Sequence, residues 1–323
     1  VTELLKKYEY DIVCRWCGGS NAGHTIYLND NKYHTHIIPS GVFYCITSYI
    51  GPDCYINIDD FTNELNYLKK NGFNTDLVKI SSRTHIITNE HKEEDLKKYR
   101  KTNGSTGKGI APCSRDKFAR IGSMVGNNDE WKKYNKHIVY DEELSDILKG
   151  RVLCEGAQGF WLDINHGNYP YITSSYTLPY SACSIGFPPQ KIRNIYGASK
   201  IYDTRVGIDP DFPDSLLEID ILNKIAITGN EFGTTTGRRR KVNWLNLDKL
   251  INAINISGTT HIILSKVDIL ENVNYYSLIF NKERVVFSNI EEMKNSIKKI
   301  LKEKCNLLNH IIYSDSPQNI TEL

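Results

Sequence analysis

Apolar runs of strand length alternate with amphipathic runs of helix length along most of this chain, and few architectures accommodate that order. "CYINI" at 54–58 reads as a strand, and 60–71 as a helix stopped by Gly72. "LVKIS" at 77–81 gives the next strand, followed by a helix over "NEHKEEDLKKYRK" (89–101) that is solvated on most faces. Toward the C-terminus, Leu247, Leu250, Ile251 and Ile254 form an apolar helical stripe, and "THIIL" (260–264) follows as a buried strand. Asn289 and Glu292 have the spacing of a capped helix start whose core face is Met293, Ile297, Ile300 and Leu301; "HIIYS" is the last strand. The expectation is an α/β fold with a mostly parallel, twisted central sheet flanked by helices. No internal repeat or low-complexity linker divides residues 1–323, so a single domain is expected. Ligands of such sheets bind at the carboxyl ends of the strands.

Polar, glycine-bearing segments interrupt this pattern. The first, "GGSNAGHT" (18–25), follows the strand-like "DIVCRW" directly. A hairpin needs only about two to five residues, so a longer loop closing on a histidine reads as a site. "NGSTGKGIAP" (103–112), "EGAQGFWLDINHGNYPYITSS" (155–175), "YDTRVG" (202–207) and "GNEFGTTTGRRRK" (229–241) repeat the combination. Glycine backbone wraps anions closely, and the hydroxyls and cations beside it add donors. In the last segment, threonines run into Arg238, Arg239 and Arg240, and arginine's planar fork matches a carboxylate. "ILSKVD" (263–268) ends a strand in the Ser-Lys-x-Asp order with which GTP-binding folds read guanine; an ordinary strand end has the same four residues equally often.

Composition narrows the partners. With 40 basic against 38 acidic residues the net charge is +2, and "RRRK" is the one dense cationic cluster. A small anionic ligand fits that balance better than a nucleic acid does. No run approaches the ~18 apolar residues of a membrane span, no signal pattern opens the chain, and the cytoplasm is the expected compartment. Cys14-x-x-Cys17 has the spacing of half a zinc site, but no second half follows. Two small thiols at a strand end, half-buried and reduced, are the favoured reading.

In order along the chain, "GGSNAGHT", "STGKGIAP", "EGAQG", "LDINHGNYPYITSS", "TRVG", "NEFGTTTGRRR", "SKVD" and "SDSP" resemble adenylosuccinate synthetase. The resemblance spans nearly the whole sequence, and its length is similar to that of the compact archaeal and viral members. It implies a C–N ligase of purine nucleotide biosynthesis. Such an enzyme joins IMP and L-aspartate at the expense of GTP, requires Mg2+, works as a homodimer, and has a P-loop-NTPase-like GTP-binding core with inserted subdomains.

Site residues follow from the same resemblance. His24 would stand beside the transferred phosphoryl group, and Gln158 would contact the purine O6 edge. The carbonyl of Gly23 would help to hold Mg2+, and Gly23, His24 and Thr25 would contact GTP. Asn21, Thr106 and Thr173 resemble residues around the 5′-phosphate of the purine nucleotide, and Val206 and Arg238 those around its ribose. Arg120 resembles the arginine that crosses to the neighbouring subunit's phosphate site. Thr234, Thr235, Thr236, Arg238 and Arg240 resemble the aspartate loop. Lys266 and Asp268 would take guanine, with Ser314 and Pro317 framing it.

The resemblance also has departures. The family's WGDEGKGK phosphate loop precedes the helix in which this sequence opens at Val1, so the loop is expected to be missing from the chain as given. Ser20 stands where histidine is usual, Lys108 where arginine is, Ser316 where glycine is, and "YTLPY" (176–180) replaces a Thr/Ala/Gly-rich segment. The alternatives these leave are a viral-type 2-aminoadenylosuccinate synthetase acting on dGMP, ATP as donor, and a catalytically inactive nucleotide-binding relative.

Overall fold

The computed structural model describes residues 1–233, 237, 239–316 and 320. They form two compact units, Val1–Lys191 and Ile192–Leu323.

The first unit contains strands β1 (Ile12–Arg15), β2 (His24–Leu28), β3 (Asn31–Thr35), β4 (Thr47–Ile50), β5 (Tyr55–Ile56), β6 (Val78–Ser81), β7 (His85–Ile86), β8 (Ile138–Val139) and β9 (Val152–Glu155). Its sheet runs in the order β8-β6-β4-β1-β9, parallel throughout. All four residues of β1 are buried, as a central strand covered on both faces requires. On one face Ile50, Val78 and Ile80 pack with Phe61, Leu65 and Leu68 of the helix Ile58–Lys70 and with Trp131. On the other, Ile12, Cys14, Trp16 and Tyr49 pack with Ile185.

The helix Ile58–Lys70 begins where the Asn57 side chain accepts from the Asp60 amide, 3.2 Å away. It carries acids in its first turn, lysines in its last, and ends before Gly72. The run 89–101 is interrupted: helix Asn89–Glu94 passes into a π turn at Asp95–Tyr99 before Arg100–Thr102. That turn lets buried Asp95 accept the amide of Gly109, 2.7 Å away, at the start of the helix Ile110–Ala119.

The structure corrects two expectations. His24 and Thr25 do not lie in a loop; they open β2, which pairs with β3 in a hairpin turned by Asn29 and Asp30, both at positive φ. The polar loop after β1 is therefore shorter than the composition of 18–25 suggested. Cys14 and Cys17 are free thiols and fully, not half, buried; burial pushes Cys17 up to about 11.

The second unit contains β10 (Tyr196–Lys200), β11 (Tyr202–Arg205), β12 (Lys241–Asn246), β13 (His261–Ser265), β14 (Tyr276–Phe280), β15 (Glu283–Phe287) and β16 (His310–Tyr313). A parallel sheet β10-β13-β16 accompanies a mixed sheet β11-β12-β14-β15, in which only β12 and β14 are parallel. The shared core takes Leu247, Leu250 and Ile254 from the helix Leu247–Ser257, and Met293, Ile297 and Leu301 from the helix Ile290–Lys304. Asn246 and Asn289 cap these helices by accepting the Lys249 and Glu292 amides. The β14–β15 hairpin turns at Asn281 and Lys282, both at positive φ, and is an element that helix–strand alternation did not anticipate.

Candidate active site

Chain order explains where the first unit gathers its polar loops. From β1 the chain steps outward through β4, β6 and β8, then returns to place β9 on the opposite flank of β1. Loops leaving β1 and β9 therefore diverge at adjacent strand ends, the switch point where such sheets hold ligands. The register sets Arg15 beside Glu155 at those ends, with "WCGGSNAG" leaving one strand and "GAQG" the other. Glycine is required here sterically: a Cβ on Gly18 would stand 2.8 Å from Gln158 Oε1, and one on Gly19 2.6 Å from the Tyr55 carbonyl.

Glu155 is the hub of this region, 2% exposed. His24 Nδ1 lies 2.9 Å from its Oε1, the Ser40 amide donates to Oε2 at 3.0 Å, and the Arg15 guanidinium is 3.8 Å away. Burial pushes the carboxyl up, but His24, Arg15 and Ser40 outweigh it and hold the group well below the usual carboxylate range. With Nδ1 engaged, His24 has Nε2 available for a ligand.

Asn21 and Gln158, assigned independently to the purine nucleotide, meet: Gln158 Nε2 donates to Asn21 Oδ1 at 3.2 Å, which also accepts the Gly19 amide at 3.1 Å. Among the described residues, the buried Oε1 of Gln158 has no partner. Ser20 is fixed by a 2.6 Å bond to Asp60. Thr106 is half-buried in the "GSTGKG" loop, and Thr173 is held through its amide, which donates to the Leu162 carbonyl. Thr25 lies on the hairpin, its hydroxyl 3.3 Å from His34 Nδ1. Arg120 ends the helix Ile110–Ala119 in left-handed conformation (φ 63°) and is exposed between exposed Phe118 and Ile121.

In the second unit, Lys266 follows β13 in left-handed conformation and its Nζ donates to the Gly229 carbonyl at 2.9 Å. Burial raises the Asp268 carboxyl, opposed by the charge of Lys266. Ser314, after β16, is buried; its amide donates to the Leu264 carbonyl and its hydroxyl to the Ser316 carbonyl. The parallel register thus sets Lys266, Asp268 and Ser314 just past the adjacent carboxyl ends of β13 and β16. Val206, just after β11, is half-buried. Arg240 donates to Glu231 through Nη1, 2.7 Å, and through its amide, 2.9 Å. Thr234, Thr235, Thr236, Arg238 and Pro317 lie outside the described residues.

Sequence reading passed over Arg15, Ser40, Lys200, Tyr202 and the carboxylates Glu155 and Glu231. The signal was present: "DIVCR" and "RVLCE" both end an apolar strand on a charge, and two opposite charges at such ends call for each other.

Among the described residues, no group of three or more His, Cys, Asp or Glu side chains forms a metal site. Gly23 offers only a backbone carbonyl, so the residues present do not by themselves make a Mg2+ cage. No described helix is long and apolar enough to cross a membrane.

The sequence profile of adenylosuccinate synthetase matches residues 1–149 and 129–279. The adenylosuccinate synthetase of Lysinibacillus sphaericus is 34% identical, over 84% of this chain and 74% of the relative. That of Trichoplax adhaerens is 36% identical, over 84% and 72%. Among solved structures, fully ligated adenylosuccinate synthetase from Plasmodium falciparum superposes with TM-score 0.80 at 26% identity, covering 97% of this chain and 92% of that one. Succinoaminodeoxyadenylate synthetase of cyanophage S-2L, bound to dGMP and dATP, shares the fold with TM-score 0.66 at 20% identity, over 90% and 91%. Motif order, strand-end loops and these likenesses agree, and the chain belongs to the adenylosuccinate synthetase family.

Proposed function

We propose that this ligase joins L-aspartate to the C6 position of IMP with GTP as phosphoryl donor, using the residues gathered at its strand ends. The observation that carries the reading is His24: buried Glu155 engages its Nδ1 at the strand ends from which the two loops carrying Asn21 and Gln158 depart. In this reading the purine O6 attacks the γ-phosphorus of GTP, GDP leaves, and His24 Nε2 donates to the charge developing between them. The aspartate amine then attacks C6, and inorganic phosphate departs carrying O6.

Asn21 and Gln158 hold the purine nucleotide, with Thr106, Thr173 and Val206 around its phosphate and ribose. Arg240, with Arg238 and the threonines 234–236, takes the aspartate carboxylates. Lys266 and Asp268 read guanine beside Ser314 and Pro317, and Arg120 completes the site of a second copy in a homodimer. Enzymes of this family are generally Mg2+-dependent; the ion would neutralise phosphate charge, held mainly by the phosphates themselves and by carbonyls such as that of Gly23. Positioning and charge stabilisation then account for the rate, with no covalent enzyme intermediate.

The test supplies the full-length protein with Mg2+, aspartate, GTP and either IMP or dGMP. Phosphate release that requires aspartate and IMP supports the reading, and release with dGMP alone transfers it to the 2-amino purine. No release with either purine overturns it.

A further inference from the structure

Glu231 lies in the stem of the segment that carries the threonine–arginine loop. Phe232 and Arg239 form an antiparallel bridge, and the next pair outward is Glu231 with Arg240, whose amide donates to the Glu231 carbonyl at 2.9 Å. The Glu231 side chain is 1% exposed. Its Oε2 accepts from Arg240 Nη1 and from Lys200 Nζ, each at 2.7 Å, and its Oε1 accepts from the Tyr202 hydroxyl at 2.7 Å. Lys200 is itself pinned to Thr204 Oγ1 at 3.0 Å.

Two features set this cluster apart from an ordinary buried ion pair. One carboxylate faces two cations, so the Glu231, Lys200 and Arg240 side chains together carry a net positive charge. The shared acceptor is also anchored outside the stem: Tyr202 sits on β11 and Lys200 ends β10, so the Glu231 side chain is fixed to two strands, and of its three side-chain partners Arg240 is the one in the stem. A guanidinium has a fork of donors in one plane. Securing Nη1 and the backbone together fixes that plane and leaves the opposite edge directed by the stem.

We propose that Glu231 is a positioning residue that orients the Arg240 guanidinium for a dicarboxylate ligand, with Lys200 supplying the charge that keeps the cluster attractive to it. The inference rests on the assignment of Arg240 to the aspartate carboxylate. Glu231 touches no substrate; it acts through Arg240.

The test is a cycle of Glu231→Gln, Arg240→Lys and the double variant in the full-length enzyme, read as KM for aspartate, IMP and GTP separately. Glutamine keeps the shape and an acceptor for Tyr202 but removes the charge that holds the guanidinium. Loss of a charge-assisted contact predicts that Glu231→Gln raises the aspartate KM roughly tenfold or more, with the nucleotide KM values within about twofold. The double variant should be little worse than Arg240→Lys alone, because both remove the same oriented fork. A normal aspartate KM in Glu231→Gln, or fully multiplicative effects in the double variant, overturns the positioning role. An unchanged aspartate KM in Arg240→Lys instead refutes the assignment of Arg240. If Glu231→Gln fails to fold, Tyr202→Phe frees one side of the same carboxylate. A selective rise in aspartate KM then supports the role, and equal changes for all three substrates overturn it.

Discussion

Replacing Glu155 by glutamine should destabilise the first unit by an amount set by Arg15. The Arg15 guanidinium is 0% exposed and lies 3.8 Å from the carboxylate. At an effective dielectric constant of about 20, two unit charges at that separation attract by about 4 kcal/mol. Removing one partner of such a pair costs about 3–5 kcal/mol, because the survivor stays buried without compensation. Glutamine retains one acceptor oxygen, so the His24 contact and the hydrogen bonds from the Ser40 amide and hydroxyl weaken and are not all lost. The expected loss is therefore about 4 kcal/mol, a large part of the ~5–15 kcal/mol that holds a domain. Urea unfolding measures it as a lower midpoint at unchanged slope. Arg15→Met combined with Glu155→Gln removes the stranded charge and should recover more than half of the loss. The carboxyl is held well below its usual range, so its contribution is present above the unfolded value and lost only as pH falls through the lowered one. A Glu155→Gln loss under about 1 kcal/mol, or a double variant as unstable as the sum of the singles, would refute this account of the hub.

Three further outcomes are expected. Glu64 accepts the amides of His36, Ile37 and Ile38 inside the fold, and burial pushes it up to about 7 from 4.5. A raised carboxyl stabilises fully below its unfolded value and loses that contribution as pH rises through about 7. Glu64→Gln should therefore flatten a decline of about 3 kcal/mol between about pH 4 and pH 8, and an unchanged slope would show that Glu64 does not cause it. Asp268→Asn should lower a GTP-over-ATP preference of roughly a hundredfold to within about tenfold, because adenine offers the carboxylate no ring N–H and no 2-amino group. Competition kinetics decide it; equal use of both donors by the unaltered enzyme would reduce Asp268 to a strand-end residue. Sedimentation with and without IMP should find a dimer, with Arg120→Ala raising the IMP requirement; a monomer with full turnover contradicts the shared site.

Much of the fold was legible because burial writes itself as apolar runs: "IVC" is buried on both faces, and in "THIIL" Ile262 and Leu264 are the buried pair. Asn289, Met293, Ile297 and Leu301 occupy the positions that capping and periodicity assigned to them. The β14–β15 hairpin was obscured because β15 is exposed almost throughout and carries no core signal. For Lys266, expected to lay its stem over guanine, the fold adds a partner for its terminal amine, which donates to the Gly229 carbonyl. That contact depends on a turn far away in sequence. Asn21 and Gln158 were each assigned by motif, but their mutual bond arises from β1 lying beside β9. The buried charges were hardest to read. Arg15 and Glu155 look like strand-end punctuation until the parallel register places them side by side.

The most direct test of the reaction follows one oxygen atom. IMP carrying a heavy-oxygen label at O6 is incubated with the full-length protein, GTP, Mg2+ and aspartate, and the inorganic phosphate is analysed by mass spectrometry. If O6 attacks the γ-phosphorus before aspartate enters, one labelled oxygen appears in each phosphate released. Unlabelled phosphate formed in step with product would contradict the account, because aspartate would then have displaced O6 without its phosphorylation.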